Sequence, residues 1–325
     1  MQVQSPNVRT VPVPIDIGAF MNRLVIICLL AVPLTPLNFS SASAQSCPEN
    51  SIAVQVLGSG GARLDRFRSS SSYLLWINGH ARILIDIGGG AHHRFAQSQA
   101  KLEDLRMVGI SHLHPDHVSD LPALLWLSQQ ARKEPLPIVG PSGNEIAPSF
   151  STFLSRLFDE KSGAFQVLGP TLGAAQGPTG GGVRLDVGVV DVVKAEPSMV
   201  FDRDGLTVTA LGIPHGDMPT LAYRVQTPNV SIVFSSDQTG TNPEFVKFAK
   251  RANLLIMHLA IAAGAKSSIH APPAVVGRVA QEASIGRLVV SHIGLFDVNA
   301  AVEELKKFYS GPLTIGADMQ CTAVQ

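Results

Sequence analysis

The sequence predicts a fold of the α+β (α/β) class, in which helices cover β-sheets. Near the start of the predicted strands, Asn78-Gly79 separates two strand-like runs and is a typical β-hairpin turn. Farther along the chain, strand-like runs alternate with helical patterns, as expected for sheets that are covered by helices. With 325 residues, 45% of them hydrophobic and only 15% charged, the chain can bury a large core.

Short apolar runs predict the strands. In chain order they are Ile52–Leu57, Tyr73–Ile77, Ala81–Ile87, Met107–Ile110, Pro137–Val139, Leu206–Leu211, Ala222–Gln226, Ser231–Phe234, Leu254–Met257, Leu288–Ser291 and Leu313–Ile315. Apolar residues at spacings of three and four predict the helices. These are Val118–Arg132, Ser142–Phe158, Pro243–Arg251, Pro272–Ala283 and Asn299–Tyr309. The glycine-rich segment Gly163–Gly188 is expected to be a flexible surface loop, with a mobile lid or an oligomer contact as alternatives.

The first 44 residues have the pattern of a secretory signal peptide. Met21-Asn22-Arg23 is a short basic start, Leu24–Leu34 is apolar, and Ala42-Ser43-Ala44 has the small residues of a cleavage site. We therefore predict an N-terminal extension and signal peptide over residues 1–44 and one folded domain over residues 45–325. Because the apolar run is short and contains Pro33, an exported protein, periplasmic or extracellular, is favoured over an uncleaved membrane anchor.

Charge and cysteine content limit the partners and the compartment. The 25 basic and 25 acidic residues balance, and no dense Lys/Arg stripe is present, so nucleic acid as an obligatory partner is disfavoured and a small substrate fits better. Cys47 and Cys321 lie near the two ends of the predicted mature chain. In an oxidising compartment they could form a disulfide, and two unrelated free thiols are the alternative.

The densest group of metal-binding side chains follows the predicted strand Met107–Ile110. The segment Ser111-His112-Leu113-His114-Pro115-Asp116-His117 places three imidazoles and one carboxylate within six residues, and both groups are ligands that suit zinc. A turn that leaves a buried strand can direct alternate side chains at one point and His117 at a second. The segment therefore predicts two neighbouring metal ions. A polar loop with chance histidines is the alternative, which the spacing and the strand context disfavour.

Further donors must come from distant parts of the chain, because four ligands cannot complete two metal sites. Three candidates come at the carboxyl ends of predicted strands, namely His215, Asp237 and His292. Side chains at the carboxyl ends of neighbouring strands emerge on one rim of a sheet, so we expect these three to lie close together. A single histidine beside a strand is more often a hydrogen-bonded neutral residue, but the recurrence of this placement favours ligands.

With these residues identified, the chain resembles the metallo-β-lactamase superfamily. The resemblance depends on a His-x-His-x-Asp-His signature followed by a single His, Asp and His in the family's order, at His112, His114, Asp116, His117, His215, Asp237 and His292. The segments Pro214-His215-Gly216, Ala222–Val225 and Phe234–Thr239 are most similar to the branch of ribonuclease Z and the arylsulfatase-like phosphodiesterases. The resemblance implies a four-layered αβ/βα sandwich.

The same resemblance implies how the metals are held. His112, His114 and His215 would bind one zinc ion, Asp116, His117 and His292 the second, and Asp237 both. Paired zinc ions lower the pKa of a bound water, so the expected reaction is attack of a metal-bound hydroxide on a phosphodiester. An imidazole at His114 favours two Zn²⁺ per chain, because the superfamily branch with redox iron typically has a carboxylate there. Manganese and iron are alternatives.

Asp116 and His270 are the predicted catalytic residues. In the resembling phosphodiesterases a histidine placed like His270 lies near the equivalent of Asp116 and the leaving group. We therefore expect His270 to stabilise or protonate the departing oxygen, with a water-facing histidine at a helix start as the alternative. Asp86 is expected to orient a ligating histidine.

Four other histidines have weaker expectations. His258 falls in a loop that carries a glutamate next to the histidine in ribonuclease Z, and because that position is Leu259 here, its role is open. His92 and His93 are candidates for contacts near the site, and His80 beside the hairpin turn is expected to be exposed.

Two departures from the family narrow the predicted function. Ribonuclease Z has a tRNA-clamping arm between its Tyr-Arg segment and the bridging aspartate, whereas a short hairpin separates Tyr223 from Asp237 here. Since true lactamases of the superfamily lack the bridging carboxylate or use a cysteine ligand, Asp237 also disfavours β-lactam hydrolysis.

The sequence thus predicts an exported dinuclear zinc hydrolase that acts on a small phosphodiester or a related phosphate or sulfate ester. A lactonase or other acyl hydrolase is the alternative enzyme, and a non-catalytic metal-binding protein is the third interpretation. The expected partners are a small-molecule ester substrate, no obligatory nucleic acid and no stable membrane insertion after signal cleavage. A homodimer is compatible with all three interpretations.

Overall fold

The strands of the chain form two seven-stranded sheets. The computed structural model describes residues 47–128, 132–173 and 183–324. Within these ranges the strands are β1 Ile52–Gly58, β2 Ser72–Ile77, β3 His80–Ile85, β4 Met107–Gly109, β5 Leu136–Pro141, β6 Leu185–Val190, β7 Ser198–Arg203, β8 Leu206–Ile213, β9 Thr220–Gln226, β10 Ser231–Phe234, β11 Leu254–His258, β12 Arg287–Ser291, β13 Leu313–Ile315 and β14 Cys321–Val324. The first sheet has the order β14-β1-β2-β3-β4-β5-β6 and the second has the order β13-β12-β11-β10-β9-β8-β7.

Helices cover the outer face of each sheet. In the described residues they are α1 Ala91–Gln97, α2 Pro115–Val118, α3 Leu121–Leu127, α4 Phe150–Phe158, α5 Pro243–Ala249, α6 Pro273–Glu282 and α7 Val298–Lys306. Strand residues alternate between the two faces of a sheet, so neighbours in β2 divide between two cores. Leu74 packs with helix residues such as Phe150, whereas Leu75 packs between the sheets with Tyr223. A third core joins the second sheet to α5, α6 and α7. The predicted four-layered αβ/βα sandwich is thus confirmed.

Each sheet contains a block of four parallel strands whose carboxyl ends point to one rim. The strands β3 to β6 run parallel in the first sheet, and β10 to β13 run parallel in the second. The buried hydroxyl of Tyr223 in β9 donates hydrogen bonds across to the carbonyl oxygens of Ile110 (2.9 Å) and Val139 (3.1 Å) in the first sheet. The Leu221 amide also donates to the Ser111 carbonyl at 2.9 Å. These bonds fix the two rims beside each other where the His112 segment begins.

Several predicted elements differ from those observed. The helix predicted over Val118–Arg132 is divided into α2 and α3, because Pro122 suits only the first turn of a helix; residues 129–131 lie outside the described part. The helix predicted from Ser142 begins only after Pro148, where the Ser149 side chain accepts a hydrogen bond from the Thr152 amide and caps α4.

The prediction of one loop over Gly163–Gly188 is wrong in two places. A 3₁₀ helix occupies Gln166–Thr171, and β6 begins at Leu185 and pairs with β5. Residues 174–182 of the segment lie outside the described residues. The glycines therefore do not prevent the end of the segment from forming the edge strand of the first sheet.

Cys47 and Cys321 form a disulfide, with 5.5 Å between their Cα atoms, which confirms the paired alternative for these cysteines. The bond joins the residues before β1 to the neighbouring strand β14. The predicted signal peptide lies outside the described residues, so the division at residue 44 stays a prediction. Among the helices that the structure describes, none combines the length and the apolar content needed to cross a bilayer.

Candidate metal centre

The His112 segment leaves β4 at the rim and folds back through the one-turn helix α2. Its path is set by Asp86 at the end of β3, whose carboxylate accepts hydrogen bonds from the Ser111 amide at 2.7 Å and the Ser111 hydroxyl at 2.8 Å. Asp86 has a positive φ of 58°. An aspartate adopts this left-handed backbone more readily than most residues. These contacts bring the side chains of His112 and His117 under the rim, where both are buried.

The second sheet supplies the distant donors from the loops at its own rim. His215 follows β8, Asp237 follows β10, and His292 follows β12 directly; all three side chains are buried. His292 has a left-handed backbone with φ 50°, which turns the chain sharply as it leaves the strand. The four donor residues of the first sheet and these three of the second face each other across the gap between the sheets.

The structure brings all seven predicted ligand residues into one cluster. Donor atoms within 4.8 Å of one another form four groups: His112, His114 and His215; His112, His117 and Asp237; Asp116, His117 and His292; and His215, Asp237 and His270. Asp237 connects the groups, since its Oδ2 lies 3.0 Å from His292 Nε2, 3.6 Å from His117 Nε2 and 3.9 Å from His215 Nε2. The arrangement therefore has two sets of donors with one carboxylate between them.

Several buried atoms of this cluster have no hydrogen-bond partner among the described residues, and His117 Nε2, His215 Nε2 and Asp237 Oδ1 are three of them. Each buried polar atom left without a partner costs about 1–3 kcal/mol. Cations bound to these groups would satisfy all three atoms, and an imidazole-rich set with carboxylates suits divalent transition metals. The residues present thus fit a metal centre.

The imidazoles are oriented by hydrogen bonds from their other ring nitrogen. His117 Nδ1 lies 2.8 Å from Asp86 Oδ2, and His215 Nδ1 lies 2.8 Å from the Ile269 carbonyl oxygen. Because these oxygens only accept, Nδ1 carries a proton, so Nε2 is the nitrogen that can bind a metal once it is unprotonated. The predicted role of Asp86 as the carboxylate that orients a histidine agrees with this contact.

Comparison with known proteins identifies the family. A model of the beta-lactamase superfamily domain matches residues 81–293, which contain the whole cluster. The chain belongs to the β-lactamase superfamily.

Relatives of this superfamily member include ribonuclease Z of Mycobacterium sp. (strain KMS), which is 30% identical over 190 residues. That match covers 57% of this chain and 61% of the relative, so the chain spans less than two thirds of that protein. Among solved structures, the metallo-β-lactamase fold protein YhfI from Bacillus subtilis matches with a TM-score of 0.65 at 21% identity, covering 84% of this chain and 99% of YhfI. The short form of human tRNase Z matches with a TM-score of 0.63 at 22% identity, with the same coverage. These matches confirm the predicted fold and the resemblance to ribonuclease Z, and with the donor set they indicate binding of a divalent metal.

Opposite charges control the protonation of this superfamily site. Burial opposes ionisation of Asp237, but the neighbouring His292 and His117 outweigh it and hold the pKa of its carboxyl well below the usual value. Burial likewise opposes charge on His292, yet Asp237 and Asp116 raise its pKa to about 9. The carboxylates therefore attract positive charge to the cluster. A bound cation competes with these protons, so metal affinity falls as the pH is lowered.

His270 lies at the open side of the cluster, partly exposed, with Nδ1 3.9 Å from Asp237 Oδ2 and its ring centre 5.2 Å from that of His215. It is therefore part of the cluster and does not simply face water. Burial lowers the pKa of His270 to about 4, so the ring is uncharged at neutral pH. A neutral imidazole can donate a hydrogen bond, but it is a poor general acid.

Other histidines lie away from the donor groups or between them. His80 is exposed as predicted and contacts Asp104, and His92 bonds to Asp120 at 2.7 Å. The role of His258 was open from the sequence. In the structure His258 is buried, with Nδ1 3.0 Å from the Ser236 carbonyl oxygen, and its Nε2 accepts from the Ala271 amide at 3.1 Å. It thus joins the Asp237 loop to the His270 loop. The position of His258 at the end of the predicted strand, like that of His292, could have predicted that it lies near the cluster.

Proposed function

We propose that this chain is an exported dinuclear zinc hydrolase that cleaves phosphodiesters. The observation that carries the proposal is the position of Asp237, whose Oδ2 lies near the Nε2 atom of His215 on one side and near those of His117 and His292 on the other. We assign His112, His114 and His215 to one zinc ion, Asp116, His117 and His292 to the other, and Asp237 to both. The nitrogen-rich set favours zinc, with manganese or iron as alternatives.

Two bound zinc ions supply a water of lowered pKa and stabilise the charge on the phosphoryl oxygens. The protein contributes the alignment of the donors, which Asp86 and the Ile269 carbonyl fix through the outer nitrogens of His117 and His215. Asp116 is 3.2 Å from His292 Nε2 and is partly exposed, so a substrate can reach it. His270, uncharged at neutral pH, donates its N–H to the departing oxygen and stabilises the charge that develops there.

The substrate we propose is a small phosphodiester. The name of the ribonuclease Z relatives favours RNA as the second candidate, since RNA is also a phosphodiester. However, the hairpin between β9 and β10 has only the residues from Thr227 to Val230 at its turn, so the arm expected of a tRNA-binding relative has no place before Asp237. The formal net charge of +0 also gives no excess of cations for a polyanion.

The disulfide between Cys47 and Cys321 supports the export part of the proposal. Disulfides persist in oxidising compartments and are rare in the cytosol. The bond joins cysteines that are 274 residues apart in the chain, and an oxidising compartment would allow it to form and persist. A periplasmic or extracellular location is therefore proposed together with cleavage of the predicted signal peptide.

Turnover assays on the purified protein test the function. After chelation and reconstitution with zinc, we expect hydrolysis of bis(p-nitrophenyl) phosphate, little or no opening of an acyl-homoserine lactone, and no maturation of a precursor tRNA. His114→Ala is the matched inactive variant, because the sheets keep their own cores while one zinc ligand is lost. Lactone opening or tRNA cleavage as the faster reaction would replace the proposed substrate class. No turnover at full metal loading would favour the non-catalytic interpretation.

A further inference from the structure

We propose that Asp318 is a positioning residue of the metal centre. It fixes the loop Ser59–Ser71, which joins β1 to β2, so that Gly61 packs on the imidazole of His292. The inference rests on the proposed function, because it takes His292 as a ligand of one of the two ions. Asp318 itself lies outside the cluster and acts through the loop.

His292 lacks the hydrogen bond that orients other imidazoles of the cluster. His117 has Asp86 at its outer nitrogen, His215 has the Ile269 carbonyl, and His112 has the Ser111 hydroxyl at 3.0 Å. The outer nitrogen of His292, Nδ1, is buried and has no hydrogen-bond partner in the described part of the chain. The orientation of this ring must therefore come from packing.

Gly61 provides that packing. A Cβ atom built on Gly61 would lie 2.7 Å from His292 Cε1 and 2.8 Å from His292 Nδ1, so the backbone of the loop rests directly on the ring. The loop is held at this height by two backbone bonds, from the Ile293 amide to the Ser59 carbonyl (2.8 Å) and from the Gly61 amide to the Ile293 carbonyl (3.3 Å). A side chain at position 61 would displace either the loop or the imidazole.

Asp318 holds both ends of this loop. One carboxylate oxygen accepts from the Ser59 amide at 3.0 Å and the Ser59 hydroxyl at 2.8 Å, and the other accepts from the Ser69 amide at 2.7 Å. The side chain is only 7% exposed, and its charge is balanced by Arg94 Nη2 at 3.3 Å. The Gly60 amide also donates to the Ser69 carbonyl at 2.8 Å, so the backbone joins the two loop ends as well. Bonds to a buried carboxylate are stronger than those between neutral groups, so Asp318 adds a strong constraint on the spacing of these ends.

The loop tip cannot provide the same constraint. Leu64 is 101% exposed and Phe67 is 72% exposed, so the tip has little packing against the rest of the protein. The position of Gly61 therefore depends on the loop ends. Removing the Asp318 carboxylate should let Gly61 move away from His292 and lower the affinity of the protein for the ion that His292 binds.

Metal titration of the chelated protein tests the inference. Zinc binding is followed by competition with a chromophoric chelator, and the site is identified by the absorption spectrum of bound Co²⁺. In Asp318→Ala we expect one of two binding steps to weaken on the order of tenfold, the lower end of the effect of removing partners that orient ligands. The other step should be unchanged. Gly61→Ala should weaken the same step, and His292→Ala identifies that step.

Asp159→Asn is the matched control, since Asp159 also accepts from two backbone amides and a serine hydroxyl but lies after α4, far along the chain from the cluster. It should bind both ions as the wild-type protein does. Wild-type affinity for both ions in Gly61→Ala and in Asp318→Ala would overturn the inference and leave the proposed function intact. If Asp318→Ala does not fold, as judged by circular dichroism, the result for Gly61→Ala decides alone. Fewer than two ions in the wild-type protein would overturn the dinuclear assignment and the inference together.

Discussion

Replacing Asp86 by asparagine should weaken metal binding by His117, although His117 itself is unchanged. The Asp86 carboxylate bonds to the Ser111 amide and hydroxyl and to His117 Nδ1. Asparagine has the same shape, but one of its oxygens becomes an NH₂ group. If that group faces His117, it donates to Nδ1 and moves the imidazole proton to Nε2, which then cannot bind a metal. If it faces Ser111, two donors oppose each other and the turn is displaced.

The size of the effect follows from the bond that is lost. A hydrogen bond to a charged group contributes about 1.5–3 kcal/mol, and each 1.4 kcal/mol is about tenfold in affinity. The ion bound by His117 should therefore bind roughly 10- to 100-fold more weakly in Asp86→Asn, which matches the usual effect of changing a group that orients a ligand. The domain should stay folded, because the substitution preserves the volume of a residue that is only 1% exposed.

The assay is competition with a chromophoric chelator after both ions are removed, with urea unfolding as the check on folding. Asp159→Asn serves again as a control for the chemical change. Unchanged affinity for both ions in a folded Asp86→Asn protein would refute the tautomer argument, and the contact with His117 would then have no role in metal binding.

Three further predictions concern catalysis, stability and pH. For His270→Ala we expect kcat for the phosphodiester to fall on the order of a hundredfold with normal zinc content, by kinetics and elemental analysis; unchanged kcat would remove its role at the leaving group. Reducing the disulfide, or Cys47→Ser, should lower the melting temperature, because the bond joins residues 274 positions apart and so constrains the unfolded chain. A bond across so long a loop stabilises the fold by up to about 5 kcal/mol, and an unchanged melting temperature would contradict the prediction. Burial lowers the pKa of His258 to about 3, so its contribution to stability is complete above its unfolded pKa of about 6.5 and is lost as the pH falls toward 3. Between pH 6.5 and 5, His258 alone should lower the free energy of unfolding in chelating buffer by about 2 kcal/mol, at about 1.4 kcal/mol per pH unit. The decrease should be smaller in His258→Gln. An equal dependence on pH in the two proteins would contradict the lowered pKa of His258.

The metal centre could be predicted because its residues follow simple rules of position. The signature from His112 to His117 lies within six residues, and each remaining donor lies within three residues of the end of an apolar strand. The strands themselves are buried, so their hydrophobic runs are easy to read. Once parallel strands are expected, a common rim for His215 and His292 follows without knowledge of the detailed path.

The features that the sequence did not predict are mainly edge strands of the sheets and contacts between residues far apart in the chain. The strand β6 is half-exposed and contains Gly188, and β7 is also an edge strand, so neither has the apolar alternation of a buried strand. The helix α1 follows three glycines and has no side-chain cap, which leaves its start without a local signal. Asp318 acts on amides that are about 250 residues away in the chain, and no sequence pattern records such a contact.

The pairing of β1 with β14 affects the order in which the domain can be assembled. The register places Gln55 opposite Cys321, so β1 stays without this neighbour until β14 has been synthesised. Contacts over such long separations form slowly. Since Asp318 lies just before β14, the imidazole of His292 reaches its final support only at the end of this process. Metal uptake at that position should therefore be a late event in the maturation of the protein, after the rest of the two sheets has formed.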